Sequence, residues 1–143
     1  MEEDYQKLRG GWADGDRERE HALHLLFLAW MHWADPSSVT GMTDDPEAAE
    51  LWNAIFDHFG GEESADTEFL YVAAIMATVT PWGFGGEEKY WVAAAERMET
   101  RAVCLDPGGF APGTFEGRGD YGEYFAHQSR RRAEALSNEK GGA

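Results

Sequence analysis

A chain of 143 residues with 27 Asp and Glu against 12 Lys and Arg carries a formal charge of −15, yet 43% of it is hydrophobic and 13% aromatic. That apolar content at this length supports a folded core and excludes a disordered chain. The acidity disfavours nucleic acid, whose phosphates need cations to displace their counterions. The lone cysteine, Cys104, excludes an internal disulfide and fits a reducing, cytoplasmic setting. Met1-Glu2-Glu3-Asp4 lacks the basic start of a secretion signal, and the nearly apolar run from Ala22 to Ala34 is shorter than a membrane span. The expectation is a cytoplasmic protein that binds neither membrane nor nucleic acid and carries no cofactor.

The whole chain, 1–143, reads as one all-α domain of about five helices in stacked antiparallel hairpins, a helical bundle or a short solenoid-like stack. Residues 1–15 read as an irregular N-terminal segment, because Gly10, Gly11 and Gly15 interrupt it. A first helix is expected from Asp14 or Asp16, either of which suits a cap, to Ala34, with Pro36 ending it. Beyond its charged first turns it is apolar nearly all round, as in a helix enclosed by others.

The second predicted helix has the clearest signals: Asp45 to cap it, Pro46 in its first turn and Gly60-Gly61 to stop it. Ala48, Leu51, Trp52, Ile55, Phe56 and Phe59 recur at helical spacing, with Glu47, Glu50, Asn53 and Asp57 opposite. This predicts an outer helix with a carboxylate face. A third helix, from Ser64 or Asp66 to Val79, is apolar on every side and predicted to be central like the first; Thr80 before Pro81 closes it. The fourth follows the Trp82-Gly83-Phe84-Gly85-Gly86 turn and runs to Leu105, with Trp91, Ala94, Ala95, Met98, Ala102 and Leu105 inward.

Residues 106–119 read as a Gly/Pro-rich loop anchored by aromatics. A fifth helix is expected from about Asp120 to Ser137, and a frayed tail over 138–143. Shifting the chain by 45 residues brings Pro36 onto Pro81 and Ala29-Trp30-Met31 onto Ala74-Ile75-Met76. Two units fall short of the three that repeat arrays usually need, so this echo suits bundle symmetry as well as a solenoid-like adaptor.

Charge distribution is the strongest functional signal. Thirteen carboxylates and no Lys or Arg lie between Glu20 and Glu88, while residues 89–143 are formally neutral. Such a surface suits life in high salt, where screening removes self-repulsion, or a basic protein partner. The leading expectation is a non-catalytic, immunity- or inhibitor-like protein that holds a basic partner through Asp44, Asp45, Glu47, Glu50, Asp57, Glu62, Glu63, Asp66 and Glu68. Trp82 and Phe84 would supply contact area there, unless they staple their own hairpin shut. The basic run Arg130-Arg131-Arg132 beside Glu134 reads as a solvated helix face.

The alternative is a small metal-binding bundle protein or enzyme. Glu18 and His21 form a Glu-x-x-His spacing, used twice in carboxylate-bridged di-metal bundles, but no second copy is found. His24, His58 and His127, on three predicted helices, would make a chemically sensible single-metal set; the competing reading, with His32 included, is of structural histidines. Gly117, Gly119 and Gly122 spell G-x-G-x-x-G without a preceding strand and read as a connector. No serine lies in a G-x-S-x-G elbow, and Cys104 sits near a helix C-terminus, where the dipole disfavours a thiolate. No catalytic residue or metal ligand is assigned on these grounds.

Overall fold

The computed structural model describes residues 1–35, 40–42 and 45–128. Pro36, Ser37, Ser38, Asp44, Ser129, the Arg130–Arg132 run, Leu136, Ser137 and the tail over 138–143 lie outside the described residues. Among those described the chain is helical, with no strand. Its contacts group it into two compact units, Met1–Gly109 and Phe110–Ala143.

The first unit contains α1 (Glu2–Ala13), α2 (Arg19–Ala34), α3 (Ala48–His58), a 3-10 turn (Gly61–Glu63), α4 (Thr67–Val79) and α5 (Glu88–Leu105). α2 packs on α3 and α4 on α5, giving the two expected hairpins, while α2 also touches α1 and α4. The two apolar helices are central. α2 buries Ala22, Leu23 and every residue from Leu25 to Met31, and α4 buries every residue from Glu68 to Ala77 except Ile75. Neither is long and apolar enough to cross a membrane, nor is any other helix among the described residues.

The segment expected to be irregular forms α1 instead. Glu2, Glu3 and Asp4 occupy its first turn, where carboxylates favour the helix dipole, and Tyr5 inserts fully into the core. Two glycines cost a helix about 2 kcal/mol relative to alanine, and the buried phenol ring offsets that cost. Gly11 also lies beneath the chain as it folds back: its carbonyl accepts the N–H of Asp16 at 2.8 Å. Neither Asp14 nor Asp16 caps α2. That position belongs to Glu18, and Asp16 instead forms a turn with its Oδ1 accepting the Glu18 N–H.

α3 begins at Ala48, later than its proline signal implies. Asp45 accepts the Glu47 N–H at 2.9 Å, forming a side-chain turn ahead of the helix rather than a cap on it. Its apolar stripe is as expected, with Ala48, Trp52, Ile55 and Phe56 buried and Glu47, Glu50 and Asp57 exposed. At the start of α4, Asp66 caps the helix by accepting the Phe69 N–H.

One hydroxyl ties the end of α2 to the end of α4. Thr80 Oγ1 accepts the indole N–H of Trp30 at 2.9 Å and of Trp33 at 3.0 Å, and donates to Met76 O. Gly83 follows at the closest approach in the turn, where a Cβ would stand 2.1 Å from Trp33 Nε1. Around Trp52 the aromatic core gathers Phe84 at 4.3 Å, Phe56 at 5.1 Å and Trp91 at 5.7 Å between ring centroids.

The second unit is aromatic in miniature. Phe110, Phe115, Tyr121 and Phe125 pack ring to ring, the last two on the helix over 119–128. Gly122 faces the Phe115 carbonyl so closely that a Cβ there would lie 2.2 Å from its oxygen. That packing accounts for the final glycine of the G-x-G-x-x-G run.

Candidate functional site

The carboxylates proposed to face a partner are distributed among three internal ion-pair nodes and a small remainder. In the first node Arg9, from α1, reaches Asp45 at 3.3 Å and Glu47 at 2.8 Å, and Tyr5 donates its hydroxyl to Asp45. Burial pushes the Asp45 carboxyl up, but the Tyr5 hydroxyl, the Glu47 N–H and Arg9 outweigh it and hold the group below its ordinary range. The Tyr5 phenol is driven up, first by its own burial and then by that carboxylate.

The second node joins α2 to α4. Arg19 donates to both oxygens of Asp66, at 2.8 and 3.0 Å, and lies 3.7 Å from Glu68, which is only 7% exposed. Asp66 is raised by burial and lowered further by Arg19 and the Phe69 N–H it caps, with a net fall. In the third node Arg97 of α5 grips both oxygens of Glu62, which also accepts from Tyr90. The Arg97 bond is the main reason the Glu62 carboxyl is held low. Nearby, Arg101 donates to the carbonyls of Glu63 and Ser64.

These contacts make Asp45, Glu47, Glu62, Asp66 and Glu68 ties between segments 28 to 49 positions apart in the chain. Glu50, Asp57 and Glu63 are exposed and make no ion pair with another described residue. Asp44 lies outside the described residues. Glu50 and Asp57 flank Asn53 on α3, and the Asn53 amide donates to Phe84 O at 2.8 Å, which holds the α4–α5 turn beside that helix face.

In that turn the aromatic pair separates. Phe84 is 3% exposed, wedged against Trp33, Trp52 and Trp91, so it closes the hairpin and leaves the set of candidate partner contacts. Its carbonyl is engaged by Asn53, and the space over Gly83 is occupied by the Trp33 indole. Trp82 is 59% exposed, with Val79 beside it at 52%.

The histidines divide differently from the sequence expectation. His24 pairs with Glu20 at 2.9 Å, His32 bonds the Leu28 carbonyl, and His58 meets Trp12 edge-on. None of these joins a three-ligand cluster among the described residues, and His127 belongs to the second unit. His21 does join one. Its Nδ1 lies 2.7 Å from Asp16 Oδ2 and 3.3 Å from Glu18 Oε2. The Asp16 bond raises the His21 imidazole above its ordinary range; Asp16 itself is lowered, first by the Glu18 N–H and then by His21. The Glu-x-x-His spacing marks two of these residues. Asp16 is the third, and D-x-E-x-x-H across the helix start is the pattern that would have found it.

Cys104 is exposed and free, on a shallow open groove along α5 beside Glu96, Arg97, Thr100 and Arg101. Among the described residues no histidine or carboxylate is hydrogen-bonded to its thiol. The chain matches no protein-family model, no curated protein and no solved structure.

Proposed function

We propose that this chain is a non-catalytic interaction protein that holds a basic protein partner on the acidic surface around α3. The carrying observation is an imbalance that the internal pairs do not remove. Arg9 and Arg19 are each bound to two carboxylates, yet the uncompensated acids of the first unit still include Glu50, Asp57 and Glu63. Like charges left on one surface raise the local concentration of a cationic partner and speed its encounter.

Affinity needs buried contact area as well as charge, and Trp82 is the side chain placed to supply it. It is a large exposed aromatic in a turn anchored through Phe84 to the α3 face that carries Glu50 and Asp57. In this reading the carboxylates set the association rate and its salt dependence, and the indole sets the lifetime of the complex.

The protein would be immobilised and used to capture partners from lysate of its own source at low and high salt. The expected result is one basic protein retained at low salt and released at high salt. With that partner in hand, neutralising Glu50, Asp57 and Glu63 together should slow association, and Trp82→Ala should speed dissociation. A complex indifferent to salt refutes the electrostatic reading. Failure to capture any specific partner, with a fold that firms up only as salt rises, makes the charge an adaptation to solvent.

A further inference from the structure

We infer that Asp16, Glu18 and His21 form a binding site for a divalent first-row transition-metal ion, of the zinc and cobalt kind, at the junction of α1 and α2. One atom from each side chain converges, all within 4.8 Å of one another. An ion that binds oxygen and nitrogen at about 2.0–2.2 Å holds adjacent donors roughly 2.9–3.5 Å apart. His21 Nδ1 lies 2.7 Å from Asp16 Oδ2, just short of that spacing, and 3.3 Å from Glu18 Oε2, within it, so the imidazole already stands at ligating distance from both carboxylates.

The backbone supplies the organisation. Asp16 spends Oδ1 on the Glu18 N–H at 3.0 Å, which orients Oδ2 toward the imidazole. Glu18 is the residue before α2 and His21 stands in its first turn, so the three donors come from one short segment set by a helix start. The cation between them in sequence, Arg17, is turned away: it donates to the carbonyls of Trp12 and Asp16 and lies 3.6 Å over the Trp12 ring. Ligation displaces the proton that His21 Nδ1 shares with Asp16; the two carboxylates and the then neutral imidazole carry charge −2, which a divalent ion cancels.

Donor chemistry selects the ion. An imidazole nitrogen is a poor ligand for Ca²⁺ and Mg²⁺, which prefer all-oxygen shells, while no thiolate is present to favour Cu(I). Three protein ligands near the surface leave coordination positions for water or for a donor from another molecule. The site is separate from the α3 surface and stands or falls independently of the partner proposal.

The test is calorimetric titration of the full, tag-free chain with Zn²⁺ and Co²⁺ chlorides, beside Ca²⁺ and Mg²⁺, with nitrogen NMR of the histidines. One equivalent of Zn²⁺ should bind saturably and shift the His21 Nδ1 resonance. Loss of an outer-shell partner alone commonly costs about 10–100-fold in metal affinity, so His21→Ala and Asp16→Asn should each weaken binding at least tenfold. His24→Ala, a second helix histidine paired with a carboxylate, should bind as the parent does. His21 is exposed, and Asn at position 16 still accepts the Glu18 N–H, so both variants should keep the parent circular dichroism. The assignment is overturned by absence of saturable one-equivalent binding, by binding unchanged in His21→Ala, or by Ca²⁺ or Mg²⁺ matching Zn²⁺. Diffuse uptake on the acidic surface would show as one of the first two.

Discussion

Replacing Thr80 by valine isolates a single hydroxyl at the junction of the two central helices. Valine keeps the shape and the branching, so the packing volume is nearly unchanged, but Trp30 and Trp33 lose their common acceptor and Met76 O loses a donor. Trp30 is 1% exposed, and losing the Thr80 acceptor of its buried N–H should cost about 1–3 kcal/mol. Trp33 is half-buried and recovers part of its bond from water, so its share is smaller. The added methyl returns roughly 0.8 kcal/mol. The net expectation is a loss of about 1–3 kcal/mol, a substantial part of the ~5–15 kcal/mol that holds a domain together. Thr80→Ser, which keeps the hydroxyl and deletes the methyl, should cost about 1 kcal/mol. Urea unfolding followed by tryptophan fluorescence and far-ultraviolet dichroism reads both, provided the slopes agree. If Thr80→Val costs no more than Thr80→Ser, the shared acceptor contributes nothing and the reasoning fails. In a Trp33→Phe background the valine penalty should shrink, because one of the two donors that share the hydroxyl is already gone.

Gly83→Ala should destabilise by about 1–3 kcal/mol and alter the tryptophan emission, since its methyl would displace the Trp33 indole from 2.1 Å; an unchanged spectrum and midpoint would contradict that contact. Asp66→Asn keeps the cap but weakens the Arg19 bridge, for an expected loss of about 0.5–1 kcal/mol at neutral pH after allowing for the exposed guanidinium. Because the folded Asp66 carboxyl lies below its unfolded value of 3.8, its stabilisation is present above that value and is lost as pH falls through the folded one. The gap between parent and variant should therefore narrow on acidification below 3.8, and a gap that does not narrow there would show that the charge is not its source. His21 should titrate above 6.5 by NMR and move down in Asp16→Asn; its contribution runs in the opposite sense, complete below 6.5 and lost as pH rises through the folded value.

Helix type and order were legible wherever a periodic apolar stripe or an all-round apolar run spoke for burial, as in α2, α3, α4 and α5. The start of α4 at Asp66 was legible too, because a cap is a local interaction. α1 was not, since its glycines argued against a helix and only the tertiary burial of Tyr5 answers them. The same distinction governs the site. The acidity of α3 is visible in the sequence, but the use of Asp66 and Glu68 by Arg19 depends on α2 lying against α4, which spacing along the chain does not reveal. Glu18 and His21 share a helix turn and were found together, whereas Asp16 reaches them by a turn of the backbone ahead of the helix.

The arginines of the first unit are scarce, and most of them fasten one distant stretch of chain to another: Arg9 to Glu47, Arg19 to Asp66, Arg97 to Glu62 and Arg101 to Ser64. This makes the molecule unequal in its response to random change. Losing a surface acid such as Glu50 removes one repulsive charge among many, and a chain this acidic has others in reserve. Losing Arg19 takes the guanidinium away from Asp66 and from the buried Glu68 and deepens the excess at once. Mutational drift should therefore erode exposed acids such as Glu50 more readily than the guanidinium groups, so among the charged positions of a saturation library selected only for folding the positive residues would be the less tolerant.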